Sequence, residues 1–343
     1  MRRAICWVLL SLSCCAGRLA AAPAAQIRPA DGPRLDKITR LTTEGDGGEP
    51  YFSFDGKQII FQAKRDGRQF DQIYIMGADG SGQRLVSTGN GRTTCSFFFP
   101  DGRTFLYAST HERTGEPPVP PQGYSKGGRY DWSFDKAFEI YVADLSGKIV
   151  KKLVSSPGYD AEATISPRGD RIVFTSDRDG DLDIYSMKLD GSDLKRLTSE
   201  PGYDGGAFYS PDGGRIIYRG SRTEDYRALQ VYVMNADGSG KRQLTHGGGT
   251  SFAPSWHPDG KRVVYCSNSG APADNRGDFD LYLMDVDAAA GAAGAAAIKL
   301  TDFPGFDGFP VFSPDGRRLV FSSNREGATP YQTSIFIADF VEK

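Results

Sequence analysis

Short runs of apolar or alternating residues, each closed by a cluster of turn residues, recur along this chain. The clearest example runs from Ile165 to Thr198. Arg171-Ile172-Val173-Phe174 is a continuous apolar run of strand length, as a well-buried strand requires. Asp183-Ile184-Tyr185-Ser186-Met187 alternates instead, and a short Arg196-Leu197-Thr198 follows. The next unit shows what joins the runs. Gly206-Ala207-Phe208-Tyr209 leads into Ser210-Pro211-Asp212-Gly213, and Asp237-Gly238-Ser239 precedes Gln243-Leu244-Thr245. Pro fixes φ, Asp bonds the local backbone and Gly takes positive φ, so both tetrads and triads set tight turns. Each unit therefore predicts four short antiparallel strands.

The same order surrounds Phe54, Pro100, Pro167, Pro211, Pro258 and Pro314, at intervals of 46, 67, 44, 47 and 56 residues. Such a period signals a repeat architecture. Six four-stranded units without helical periodicity predict an all-β, six-bladed β-propeller, since one blade cannot bury both faces alone. The last unit stops at a third strand, Ile335-Phe336-Ile337-Ala338-Asp339. An orphan Ile38-Thr39-Arg40-Leu41-Thr42 precedes the first unit and is expected to close the ring as its missing fourth strand, removing exposed edges.

The turns Ser210-Pro211-Asp212-Gly213, Ser313-Pro314-Asp315-Gly316 and Asp237-Gly238-Ser239 resemble the TolB-like propeller repeat, a WD-repeat-like family, over roughly residues 38–340. The resemblance implies the propeller fold and, as the family's best-known use, periplasmic recognition of proteins. TolB also carries an N-terminal α/β domain, for which this sequence leaves no room.

Residues 1–25 read as a signal peptide: Arg2-Arg3, an apolar stretch from Ala4 to Gly17, and small residues suited to cleavage after Ala24 or Ala25. Leu12-Ser13-Cys14-Cys15 offers the alternative of a lipoprotein anchored through Cys15. Either reading exports the chain to the periplasm or envelope. Residues 26–36 form a tether and 37–343 the propeller, expected to be a monomer. A net charge of −2 with interspersed signs argues against a nucleic-acid footprint. Cys95 and Cys266 fall in blades 2 and 5, too far apart for a disulfide, and read as small buried strand residues.

Two blades are enlarged. Blade 2 carries His111 to Phe134, Pro-rich and then aromatic at Tyr124, Tyr130 and Trp132. Blade 5 carries Ser267 to Asp278 and an Ala/Gly run from Ala288 to Ala297. The blade 2 insertion breaks the repeat, so the fold does not require it. It is read as a semi-rigid lid presenting its aromatics to a partner, against the alternative that they cover their own blade.

In a propeller the loops between strands two and three, and those between blades, share the mouth face. They supply Asp46, Glu49, Asp160, Glu162, Asp204 and Asp307, and from the second set Arg65, His111, Arg178, Arg222, Asn268 and Arg325. This ring would bind a polar or peptidic ligand. The competing reading is salt bridging between blades and turn capping, because similar residues recur in most blades.

Other chemistry is weaker. The alternating carboxylates of Asp177 to Asp183 lack the Glu of a calcium loop. Gly238-Ser239-Gly240-Lys241 lacks the phosphate-loop spacing and a following helix. No Gly-x-Ser-x-Gly elbow is present, and only three histidines exist. No metal, cofactor or catalytic residue is assigned. The expected function is a non-catalytic propeller binding an envelope protein, peptide or other ligand at its mouth. The alternatives are a carbohydrate lyase or hydrolase with its site in that mouth, and a propeller partner of a separate peptidase.

Overall fold

A computed structural model of the chain describes residues 33–113, 134–223, 228–271, 277–288 and 297–342. It begins with β1 (Arg34–Arg40). Blade 1 follows as β2 (Asp46–Phe52), β3 (Gln58–Lys64), β4 (Gln72–Gly77) and β5 (Arg84–Leu85). Blade 2 is β6 (Thr93–Phe98), β7 (Thr104–Ser109), β8 (Glu139–Asp144) and β9 (Ile149–Val154). Blade 3 is β10 (Asp160–Ile165), β11 (Arg171–Ser176), β12 (Asp183–Lys188) and β13 (Lys195–Arg196). Blade 4 is β14 (Tyr203–Tyr209), β15 (Arg215–Ser221), β16 (Gln230–Asn235) and β17 (Arg242–Gln243). Blade 5 is β18 (Ser251–Trp256), β19 (Arg262–Ser267), β20 (Asp280–Asp285) and β21 (Ile298–Lys299). Blade 6 is β22 (Asp307–Phe312), β23 (Arg318–Ser323) and β24 (Ser334–Val341).

The sheet order β1-β24-β23-β22 shows β1 completing the sixth blade and closing the ring. Arg34 stands opposite Val341 and Arg40 opposite Phe336. The closing strand starts earlier than the sequence suggests: residues 34–36, expected in the tether, already belong to the ladder. Among the described residues no helix is long and apolar enough to cross a membrane.

Alternation along each strand builds the core between blades. Ile172 and Phe174 of β11 pack with Leu106 and Ile140 of blade 2. Val173, between them, packs with Ile216 and Tyr218 of blade 4. Successive side chains point to opposite faces of a sheet, so each strand serves two interfaces. This is why the second strands read as continuous apolar runs: both faces are buried.

The turn motifs hold themselves together. Ser210 Oγ donates to Asp212 Oδ1 at 2.6 Å and accepts from the Arg215 amide at 2.9 Å, while Gly213 sits at φ 68°. In blade 5 buried His257 takes the serine's place, its Nδ1 accepting from the Asp259 amide at 3.2 Å. Burial and Arg262 lower its pKa. The Leu-Thr signature has an equally local cause. Thr198, Thr245, Thr301 and Thr42 each accept a strand-three amide through Oγ1 at 2.9 Å, from Ile184, Val231, Leu281 and Ile335. The hydroxyl extends a ladder that the short outer strand cannot continue itself.

Candidate functional site

The mouth charges are largely consumed by one another. Arg178 donates to Asp160 at 2.8 Å, Arg222 to Asp204 at 2.7 Å and Arg325 to Asp307 at 2.5 Å. In each pair a fully buried aspartate starts the inner strand, and the arginine follows the second strand of the same blade. The guanidinium also lies over a strand-three ring: Tyr185 for Arg178, Tyr232 for Arg222 and Phe336 for Arg325. These three pairs stay within one blade, unlike the bridges between blades that were expected; of the acids assigned to the mouth, Glu162 does bridge two blades, to Arg219. Asp204 Oδ2 has no hydrogen-bond partner, and burial, opposed by Arg222, pushes its carboxyl up to about 7.

Blades lacking the pair use substitutes. Arg65 lies over Tyr74 and donates to Gln83 Oε1 at 2.5 Å. His111 shares a hydrogen bond with Ser109 Oγ at 2.9 Å and packs on Tyr141, ring centroids 4.3 Å apart. Asn268 Oδ1 accepts the Thr250 amide at 2.7 Å. Asp46 accepts from the Thr333 hydroxyl of blade 6 at 2.6 Å. Tyr124, Tyr130 and Trp132 lie outside the described residues.

Glu162 differs from the other acids placed at the mouth. It stands two residues below Asp160, between blades 3 and 4 beside the central channel, and is buried. Arg219 Nη2 donates to its Oε1, and Tyr203 Oη donates to Oε2 at 2.7 Å. Thr175 Oγ1 and the Gly206 amide donate to Oε2 at 2.7 and 3.0 Å. Arg219 in turn donates to Tyr203 Oη at 3.0 Å.

A glycine pair makes this network. Arg219 belongs to the second strand of blade 4 and pairs in register with Gly205. A Cβ at Gly205 would stand 2.3 Å from Glu162 Oε2, and one at Gly206 2.9 Å from the Arg219 guanidinium. Only glycines open the inner strand enough for a second-strand arginine to reach the channel.

All six inner strands break register at one level. The residue at the break has positive φ in each: Glu49, Cys95, Glu162, Gly206, Ala253 and Phe309, at 49–57°. Five of these are not glycine, an uncommon conformation that clusters at functional sites. They encircle a small cavity that Ser96 and Arg219 also line, of about 20 Å³. That volume holds a water-sized group. Tyr51 and Phe208 also line the cavity and form an aromatic triad with Phe97, ring centroids 5.6–6.1 Å apart.

Burial, opposed by Arg219 and Cys95, pushes Glu49 up to about 7. Burial and the neighbouring Glu49 and Glu162 hold the Cys95 thiol well above its ordinary value, so it stays protonated and a poor nucleophile. Cys95 lines the cavity with partial exposure, unlike the buried strand residue expected. Cys266 is buried, its thiol donating to the Phe252 carbonyl at 3.3 Å; both cysteines are free.

Toward the mouth, partly buried Phe279, Phe306 and Phe309 gather around Phe252, at 5.3–6.5 Å. Across the opening Phe134, where the blade 2 insertion rejoins the ring, packs on Tyr159 and Tyr203 at 5.3 and 5.7 Å. Among the described residues no three His, Cys, Asp or Glu side chains are grouped to hold a metal ion. The carboxylates of the Asp177–Asp183 run have other tasks. Asp177 accepts the Tyr159 amide at 2.7 Å, Asp179 the Tyr185 hydroxyl at 2.6 Å and Asp181 the Gly202 amide at 3.0 Å. Asp183 pairs with Arg196 at 2.5 Å.

Six closed blades, a glycine-opened channel and an aromatic mouth define a propeller with a single central opening. Residues 132–228 match the family model described as TolB beta propeller domain, and the ring as a whole is a six-bladed propeller. Among solved structures it is similar to a putative TolB from Agrobacterium tumefaciens, at 23% identity over 90% of this chain and 99% of that one, TM-score 0.59. TolB from Acinetobacter baumannii aligns at 20% identity over 92% of this chain and 65% of that one, TM-score 0.57. An oligogalacturonate lyase in complex with manganese aligns at 15% identity over 92% of this chain and 99% of that one, TM-score 0.54. At such identities the likeness is one of fold.

Arg219 and the Gly205-Gly206 pair are absent from the sequence-derived site. The signal was present: two adjacent glycines inside a strand mark a close approach, and the opposing residue is an arginine in an otherwise apolar run.

Proposed function

We propose that this chain is an exported, non-catalytic propeller that captures a protein or peptide of the cell envelope at its mouth. One observation carries the reading. The rim aspartates Asp160, Asp204 and Asp307 are each paired with an arginine of their own blade, whereas Phe134, Phe279, Phe306 and Phe309 remain partly exposed around the opening. Aromatic anchors within a polar rim are what protein recognition uses. The two TolB likenesses support the same reading. Export rests on the leader of residues 1–25, with Cys15 as the acylated residue if the lipoprotein route is taken.

A lyase reading draws on the manganese-bound neighbour. Among the described residues no three His, Cys, Asp or Glu side chains are grouped to hold a metal ion, and His111 is engaged with Ser109 and Tyr141. The partly exposed aromatics at the opening are what favour binding.

The test is capture from envelope extract by the mature chain, beside Phe279→Ala/Phe306→Ala and a turn-face control, Lys57→Glu. A partner retained by the control and lost by the aromatic variant supports capture at the mouth. Equal capture by all three rejects it. Intact mass of the purified mature protein distinguishes cleavage at Ala24 or Ala25 from lipidation at Cys15.

A further inference from the structure

We propose that the cavity at the centre of the ring binds a primary ammonium group carried on an extended chain, a peptide's free amino terminus or a lysine side chain. The inference deepens the mouth-binding reading and rests on it.

Three independent features converge. The first is size. A cavity of about 20 Å³ admits one water-sized group, and an ammonium head is of that size. The second is charge. Glu162 and Arg219 neutralise each other, and Tyr203, Thr175 and the Gly206 amide fill the remaining valences of Glu162. Glu49 lines the same space, beside the Cys95 thiol, whose hydrogen-bond contact is Thr94 Oγ1 at 3.1 Å. Among the described residues no ion pair engages Glu49. The site therefore carries one uncompensated acid.

The third is an orphaned hydroxyl. Ser96 is 2% exposed, lines the cavity and has no hydrogen-bond partner for Oγ. A buried polar group left unpaired costs about 1–3 kcal/mol, so an occupant that reaches it is favoured. An ammonium has three donors and no acceptor and can serve the Glu49 carboxylate and Ser96 Oγ together. An anion would meet Glu49 unfavourably, and an apolar group would leave Ser96 stranded.

The approach also fits. Gly48, one residue nearer the mouth, has open space where a side chain would stand. Glu49 lies three residues below Asp46, about 10 Å along the strand. An amine must therefore be delivered on an extended chain to the level where Ala253 and Phe309 form the apolar part of the cavity wall.

The experiment is titration calorimetry of the mature protein with n-butylammonium at pH 8, with sodium chloride at equal ionic strength as reference. The expected result is saturable binding, weakened at least tenfold in Glu49→Gln and severalfold in Ser96→Ala. Circular dichroism verifies that both variants are folded. Triglycine amide should bind and its N-acetyl form should not if the amino terminus is the source. Nα-acetyl-lysine amide should bind if the side chain is. No saturable heat beyond the sodium chloride reference, or affinity unchanged in both variants, overturns the proposal and leaves a cavity for water. The probe needs no partner protein, so failure here and failure of capture at the aromatic mouth are separately visible.

Discussion

Two arginine–carboxylate systems stand a few residues apart in this ring. The rim system repeats: Asp160–Arg178, Asp204–Arg222 and Asp307–Arg325 occupy the same place in three blades. Each pair lies within one blade, and each arginine is covered by that blade's own rings. Among the described residues the channel system occurs once. Glu162 and Arg219 come from different blades, meet through a glycine window, and adjoin the central cavity. The contrast separates what a blade needs from what this ring adds. A device present in several blades answers a requirement of the blade, as the positive-φ break in all six inner strands does, whereas a device present once, at the cost of two glycines, answers something outside it.

Removing Arg219 should break that contrast most sharply. Arg219→Ala leaves Glu162 buried without its charge partner, and such losses cost about 3–5 kcal/mol. Urea unfolding measures this, and Arg219→Met/Glu162→Gln should recover much of the loss. A cost below about 1 kcal/mol would place the network among ordinary surface pairs.

Glu49→Gln tests the electrostatics of the cavity. A folded-state pKa raised to about 7 from 4.5 means that the folded chain holds this proton more tightly than the unfolded one. Stability from Glu49 is then full below pH 4.5 and is lost as pH rises through about 7. Glu49→Gln should therefore stabilise by less than about 1 kcal/mol at pH 5 and by about 3 kcal/mol at pH 8, read from urea midpoints at both values. The groups acting on Glu49 are Arg219, Glu162, Asp71 and the Cys95 thiol. Equal effects at the two pH values would show that its burial is not felt as charge. Gly205→Ala comes next, at about 1–3 kcal/mol, because its Cβ would overlap the Glu162 carboxylate. The smallest change is expected at the rim: Arg222, about a third exposed, should cost only about 1 kcal/mol as Arg222→Ala, water replacing the lost donor.

These differences also explain what the sequence could disclose. Blade count, strand order and ring closure were legible because Ser-Pro-Asp-Gly, Asp-Gly-Ser and Leu-Thr each perform a local task, bonding within a few residues. The rim pairs were half legible. Their residues could be placed on one face, but pairing within rather than between blades depends on the strand-one and strand-two ends meeting in register. Glu162 was assigned to the mouth with Asp160, yet the register break in β10 carries it down into the channel. Arg219 was missed although the Gly205-Gly206 pair opposite it marks a close approach. Its role depends on Gly205 opposite and Glu162 in the preceding blade, relations that no local motif encodes.

The closing strand has a consequence for how the protein is made. β1 is synthesised before any blade and pairs with β24, the last strand of the ring. Every intermediate along the nascent chain is therefore an open arc with an unsatisfied edge at each end. Closure is the longest-range contact in the molecule, and contacts of that kind are slow to form. Until β24 has been made and has paired with β1, both edges stay open, so the period before closure is when this fold most depends on being held apart from its own copies.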